Sequence, residues 1–104
     1  HGGRQLDTVI SPIHVLAEIV EAAGDMTVMI DSGIRRGTDI IKALALGATS
    51  CFIGRPFNYA CAVAGSAGVE RAIDLITDEI SRDLGMLGAP SLAAINLNHL
   101  RLTK

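Results

Sequence analysis

Asp31-Ser32-Gly33-Ile34-Arg35-Arg36-Gly37-Thr38 and, further along, Gly54-Arg55-Pro56 decide how this chain is read. The first follows Thr27-Val28-Met29-Ile30, the second the apolar run 49–53, and each leads toward a helix. A short apolar run bounded by glycine reads as a strand covered on both faces, as parallel strands are. Glycine bares backbone N–H groups, a helix N-terminus adds positive potential, and arginine closes a fork on an anion. Two strand ends of this kind predict a phosphate clamp at one pole of a sheet. Read separately, Gly33 and Gly54 need only serve tight turns, with Arg35 and Arg55 paired to carboxylates or lying along the surface. Their recurrence after consecutive strands favours the clamp.

Outward from these segments the pattern alternates. Ile13, Leu16, Ile19, Val20 and Ala23 recur at helical spacing, with Ser11 as N-cap, Pro12 at the first helical position and Gly24 as the stop. A second helix is expected from a cap at Thr38 or Asp39, through Ile40, Ile41, Leu44 and Ala45, to Gly47. Helix, strand, helix, strand from residue 12 to 54 predicts βα units and a parallel sheet, an α/β fold. Beyond Pro56, residues 57–64 read as a short helix, with a break at Gly65 and Gly68. Residues 69–84 read as a long amphipathic helix whose stripe is Val69, Ala72, Ile73, Ile76, Ile80 and Leu84. Gly85 and Gly88-Ala89-Pro90 end it, and Ser91 caps a short final helix. A phosphate site in the loops after the last two strands is characteristic of (β/α)8 barrels. Such a barrel needs about 250 residues. At 104 residues the chain accommodates two or three βα units, the phosphate-gripping end of a barrel.

Composition narrows the function. The chain is 49% hydrophobic and carries a formal net charge of −2, which offers nucleic acid no basic surface. No apolar stretch approaches the length of a membrane span, and no secretory pattern opens the chain. Cys51, in an apolar run, and Cys61, among alanines, are expected to be buried reduced thiols of an intracellular protein. No His/Cys spacing suggests a metal site.

The opening segment His1-Gly2-Gly3-Arg4-Gln5 reads as a loop of the kind that follows a strand. His1 is able to take a proton near neutral pH and Arg4 to hold a carboxylate, while Gly2 and Gly3 let the backbone pass close to a flat ligand. By spacing alone, both side chains could equally be surface residues. His14 and His99 read as surface or boundary residues. Tyr59 is placed either over a ligand or in the packed shell.

Taken together these residues resemble a family. His1-Gly2-Gly3-Arg4-Gln5-Leu6-Asp7 is similar to the signature of the FMN-dependent α-hydroxy acid dehydrogenases and oxidases. Asp31 to Asp39, Lys42-Ala43-Leu44-Ala45-Leu46-Gly47-Ala48, Ile53-Gly54-Arg55-Pro56 and Ala64-Gly65-Ser66-Ala67-Gly68-Val69 resemble the same family in the same order. The resemblance implies the C-terminal part of a (β/α)8 TIM barrel over 1–104: the loop after strand 6, then strands 7 and 8 with their helices. It implies His1 as the active-site base and Arg4 as the substrate-carboxylate ligand. It implies Asp31, Ser32, Gly33, Ile34, Arg35, Gly54 and Arg55 as the residues that hold FMN. The substrate would be a small L-2-hydroxy acid, oxidised to the 2-oxo acid. The partners would be the N-terminal part of the barrel and, in a full-length parent, further copies in a homo-oligomer. Because the family's earlier strands flank the flavin, the isolated chain is expected to be inactive. The ending Leu102-Thr103-Lys104 differs from the peroxisomal Ser-Lys-Leu, which favours a cytoplasmic or membrane-associated setting. Two readings compete: a phosphate- or FMN-binding half-barrel module without catalysis, and a piece of another phosphate-binding barrel, such as an inosine monophosphate dehydrogenase-like one. The His1–Gln5 segment argues against the latter.

Overall fold

Ser11 and Pro12 begin the first helix, α1 (Pro12–Ala23), where the sequence places it, and Gly24 at φ 57° ends it. Ser11 has the extended backbone of an N-cap, but its hydroxyl makes no capping bond. The computed structural model describes residues 2–101. After α1 come β1 (Met29–Ile30), α2 (Gly37–Ala45), β2 (Ser50–Cys51) and α3 (Arg55–Leu87). Short 3-10 turns lie at Gly2–Arg4, Leu92–Ala94 and Leu97–His99.

Both strands are shorter than their apolar runs. They pair in parallel, Met29 with Ser50 and Ile30 with Cys51. The Thr49 N–H donates to the Val28 carbonyl at 2.7 Å and the Phe52 N–H to the Ile30 carbonyl at 2.8 Å, so hydrogen bonding runs just past the strands before the chains diverge. Among the described residues the sheet holds only these two strands. The expectation that both faces are covered needs correction. Ile30 is buried under α1, whereas Met29 is 55% exposed and Phe52, just past β2, 59% exposed. The helices cover one face only.

The core lies in two clusters that share α2. Leu16, Ile30, Ala43 and Ala48 pack between α1 and the sheet, flanked by Ile13, Val20, Val28, Leu46 and Cys51. Ile41, Ala45, Ala89 and Ile95 pack on the other side, against Ile80 and Leu84 of α3. Ile41 and Ala45 are four residues apart and so share a helix face. Leu16, 3% exposed, is the deepest large side chain of the first cluster, and burying such a side chain is worth about 1.5–3 kcal/mol.

Two helix boundaries differ from expectation. α2 starts at Gly37 rather than after Thr38 or Asp39. Asp39 does act at this terminus, but from inside the helix: its Oδ2 accepts the N–H groups of Arg35 and Arg36, each at 3.0 Å. Gly37 is a close-approach glycine, since a Cβ there would lie 2.7 Å from Glu79 Cβ. α3 is two helices, 55–63 and 66–87, joined at Ala64 and Gly65, whose backbones leave the helical region. Gly65 is therefore the predicted break. Gly68 is not a break but lies within the second helix, where a Cβ would run into the Ala60 carbonyl oxygen. The predicted stripe also weakens at Ile73, which is 49% exposed. The helix passes through Gly85 and ends at Gly88, whose φ is 69° and whose N–H donates to the Gly85 carbonyl at 3.2 Å.

Candidate functional site

Parallel pairing sends the chain out of β1 and β2 at the same pole. In the observed register, Asp31 and Phe52 are the first residues beyond the strands, and the loops 31–36 and 52–54 leave side by side. The first turns sharply. Ser32 at φ 72° and Gly33 at φ 87° are consecutive left-handed residues. That conformation is free for glycine but unusual for serine, and such residues gather at ligand clamps and switches. The Ser32 hydroxyl lies 3.4 Å from Asp31 Oδ1. Ile34 then drops into the interior at 6% exposure and anchors the loop. Arg35 remains exposed.

The second loop reaches Gly54 and Arg55, both exposed, with Pro56 in the first turn of α3. A Cβ on Gly33 or on Gly54 would meet nothing within 4 Å. Open space above two bare backbones, flanked by exposed Arg35 and Arg55, fits the approach of a phosphate group. The first loop shares a recess with α3, lined by Arg35, Arg36, Pro56, Leu75, Ile76 and Glu79 among others.

One element of the expected clamp is spoken for. The Gly37 N–H, in the first turn of α2, donates to Glu79 Oε2 at 2.7 Å. The adjoining Arg35 and Arg36 N–H groups go to Asp39. The positive end of α2 therefore faces carboxylates of this chain, whereas the start of 55–63 carries no side-chain cap.

Glu79 and Arg36 carry the clearest electrostatics of the region. Glu79 Oε1 accepts from Arg36 Nε at 2.7 Å and lies 2.7 Å from Arg36 Nη2. The Arg36 hydrogen bond, followed by the Gly37 N–H, holds the Glu79 carboxyl below the usual carboxylate range. The same bond raises the Arg36 guanidinium. Sequence reasoning missed this pair. Glu79 sits beside Ile80 of the apolar stripe, the one available signal, but nothing local ties it to Arg36, 43 positions away.

The opening loop is different in kind. His1 lies outside the described residues. Arg4 ends the 3-10 turn Gly2–Arg4, and residues 2–10 are exposed throughout. The Gln5 and Leu6 N–H groups both donate to the Gly2 carbonyl at 3.0 Å, so the loop is folded on itself. His14 is exposed on α1, and His99 is half-buried, its Nδ1 3.2 Å from the Asn96 N–H nitrogen. Tyr59 is 65% exposed, outside any packed shell of this chain. Burial pushes the Cys51 thiol up, as a half-buried cysteine requires, but Cys61 is exposed, contrary to expectation. Among the described residues no helix is long and apolar enough to cross a membrane.

Comparison with known proteins bears on nearly the whole chain. The family model of the FMN-dependent dehydrogenases matches residues 1–102. Glycolate oxidase 3 of Oryza sativa subsp. indica is 48% identical over 101 residues, 96% of this chain and 28% of its own length. L-lactate dehydrogenase of Serratia proteamaculans is 46% identical over 101 residues, 96% of this chain and 27% of its own length. A soluble mutant of the membrane-associated (S)-mandelate dehydrogenase from Pseudomonas putida superimposes with a TM-score of 0.91 at 46% identity, over 97% of this chain and 29% of that one. The chain thus spans little more than a quarter of the length of the proteins it matches. Its motifs, its paired βα loops and these matches place it in the FMN-dependent dehydrogenase family.

Proposed function

We propose that this chain supplies the FMN-phosphate clamp and the substrate-facing loop of an enzyme that oxidises a small L-2-hydroxy acid to the 2-oxo acid. One observation carries the reading: two glycine–arginine loops leave adjacent parallel strands at one pole, with open space above Gly33 and Gly54. Asp31, Ser32, Gly33, Ile34 and Arg35 form one arm of the clamp, and Gly54 and Arg55 the other. FMN, when bound, supplies the acceptor for the two electrons lost from the alcohol carbon. Arg4 would fix the substrate carboxylate through its planar fork, and His1 would take the proton released as the alcohol becomes a ketone. The relatives above are named for glycolate, lactate and mandelate, which supports a substrate of that class.

In barrel terms the chain corresponds to the loop after strand 6, then strands 7 and 8 with their helices, forming a single unit over 1–104. The uncovered face at Met29 and Phe52 supports a partner segment bearing the remaining strands, and a homo-oligomeric parent belongs to the same proposal. An intracellular setting, in the cytoplasm or at a membrane surface, accords with the membrane-associated relative. Alone, the chain is proposed to grip flavin phosphate without turnover, because residues 2–10 have no wall around them.

The test is a titration of the purified chain with FMN, followed by flavin fluorescence, with Arg35→Ala as the control. Saturable binding lost in the variant supports the clamp. A well-folded monomer that fails to bind speaks against the flavin assignment.

A further inference from the structure

Arg36 and Glu79 lie outside the residues expected to touch the cofactor, yet they meet at the foot of the loop that carries Arg35. The Glu79 carboxylate is fully used: Oε1 faces Nε and Nη2 of Arg36, and Oε2 accepts the Gly37 N–H, all at 2.7 Å. Its side chain is 18% exposed while that of Arg36 is 70% exposed. The arginine therefore reaches in from solvent to a carboxylate held mostly within the fold. An isolated surface ion pair of this kind is worth little as stability. Its geometry is more telling. Arg35 is bracketed: its own N–H is fixed to Asp39 of α2, and the two residues after it are fixed to Glu79 of α3. Glu79 also shares its recess with Arg35 and with Pro56, the residue after Arg55. Glu79 thus ties down the arm that carries Arg35, in a recess that borders the start of the other arm's helix at Pro56.

We infer that Glu79 is a positioning residue: by holding Arg36 and the Gly37 N–H, it sets the Arg35 loop at the spacing from Arg55 that a phosphate ester needs. The inference rests on the phosphate-clamp reading and extends it to a residue that contacts no ligand. Its chemistry is specific to the phosphate end. Displacing Arg35 weakens the grip on a phosphate dianion and leaves contacts to an uncharged ring unchanged.

Riboflavin, which lacks the phosphate, separates the two. The native chain, Glu79→Gln and Arg36→Gln are titrated with FMN and with riboflavin by fluorescence, with folding checked by circular dichroism and the bound phosphate observed by 31P NMR. Arg36→Gln breaks the tie from its exposed side and so reports even if Glu79→Gln unfolds. The expected result is an FMN affinity about tenfold weaker in both variants, the loss of roughly one charge-assisted hydrogen bond, with riboflavin affinity unchanged and the bound 31P resonance moved toward free FMN. FMN affinity unchanged in a folded variant overturns the positioning role, as does an equal loss for FMN and riboflavin, which marks a merely structural role. A native chain that binds FMN no more tightly than riboflavin overturns the clamp itself, and the positioning role with it.

Discussion

The loop after β1 and the loop that opens the chain both carry glycine and arginine, but they are built differently. Residues 31–37 are anchored by Ile34 in the interior, by Asp39 on the Arg35 and Arg36 amides, and by Glu79 on Arg36 and Gly37. Residues 2–10 are exposed, and the Gly2 carbonyl accepts from their own amides. The difference teaches that two successive βα units fix the first loop by themselves, whereas they leave residues 2–10 without walls; under the proposed function, the phosphate grip belongs to the former and substrate placement to the latter. A binding arginine held from behind is organised before its ligand arrives, which lowers the cost of ordering it on binding. An arginine on an exposed loop bears that cost itself.

The largest effect that could break this contrast is on flavin affinity. Arg55→Ala is expected to weaken FMN binding by roughly a hundredfold, the loss of a forked, charge-assisted contact. Arg4→Ala is expected to change it by less than about twofold, since that loop has no part in the grip. Parallel fluorescence titrations decide, and a comparable loss in Arg4→Ala would abolish the distinction. Next in size is Gly37→Ala. The new Cβ would lie 2.7 Å from Glu79 Cβ and 2.8 Å from the Ile80 nitrogen, so α2 and α3 must part. Overpacking of this kind costs about 1–3 kcal/mol, which thermal denaturation should show as a fall in Tm of at least several degrees.

A smaller effect concerns pH. The Glu79 carboxyl is held below its ordinary value of 4.5, first by Arg36 and then by Gly37. Its contribution to stability is therefore fully present above about pH 4.5 and is lost as pH falls through the depressed folded value. Glu79→Gln should remove that part of the acid limb, as denaturant titrations at stepped pH would show. An unchanged acid limb would mean that the tie to α3 contributes nothing measurable. The smallest effect separates the two thiols. Exposed Cys61 should react with a disulfide reagent several-fold faster than Cys51, whose half-buried thiol has a raised pKa. Equal rates would show that β2 opens readily at the pole from which the two loops leave.

Local chemistry was legible in the sequence. Ser11-Pro12 and Gly24 bound α1 at the predicted residues, because caps and stops are decided within a few positions. The alternation of helix and strand and the break at Gly65 were legible for the same reason. What escaped depends on distance. The Arg36–Glu79 tie spans 43 positions, and the start of α2 at Gly37 depends on that tie and on the close passage of α3. Gly68 looked like punctuation, yet it is glycine because the Ala60 carbonyl crosses there. Which residues lie on the open sheet face, Met29 and Phe52, was equally hidden, since an apolar run reads alike whether this chain or another covers it.

The most direct measurement is a crystal structure of this chain, or of a longer protein containing it, with FMN bound. The account predicts the phosphate between the two loops, within hydrogen-bond distance of Arg35 and Arg55 and of backbone N–H groups near Gly33 and Gly54. A phosphate seated elsewhere, or a flavin that leaves both arginines in solvent, would contradict it.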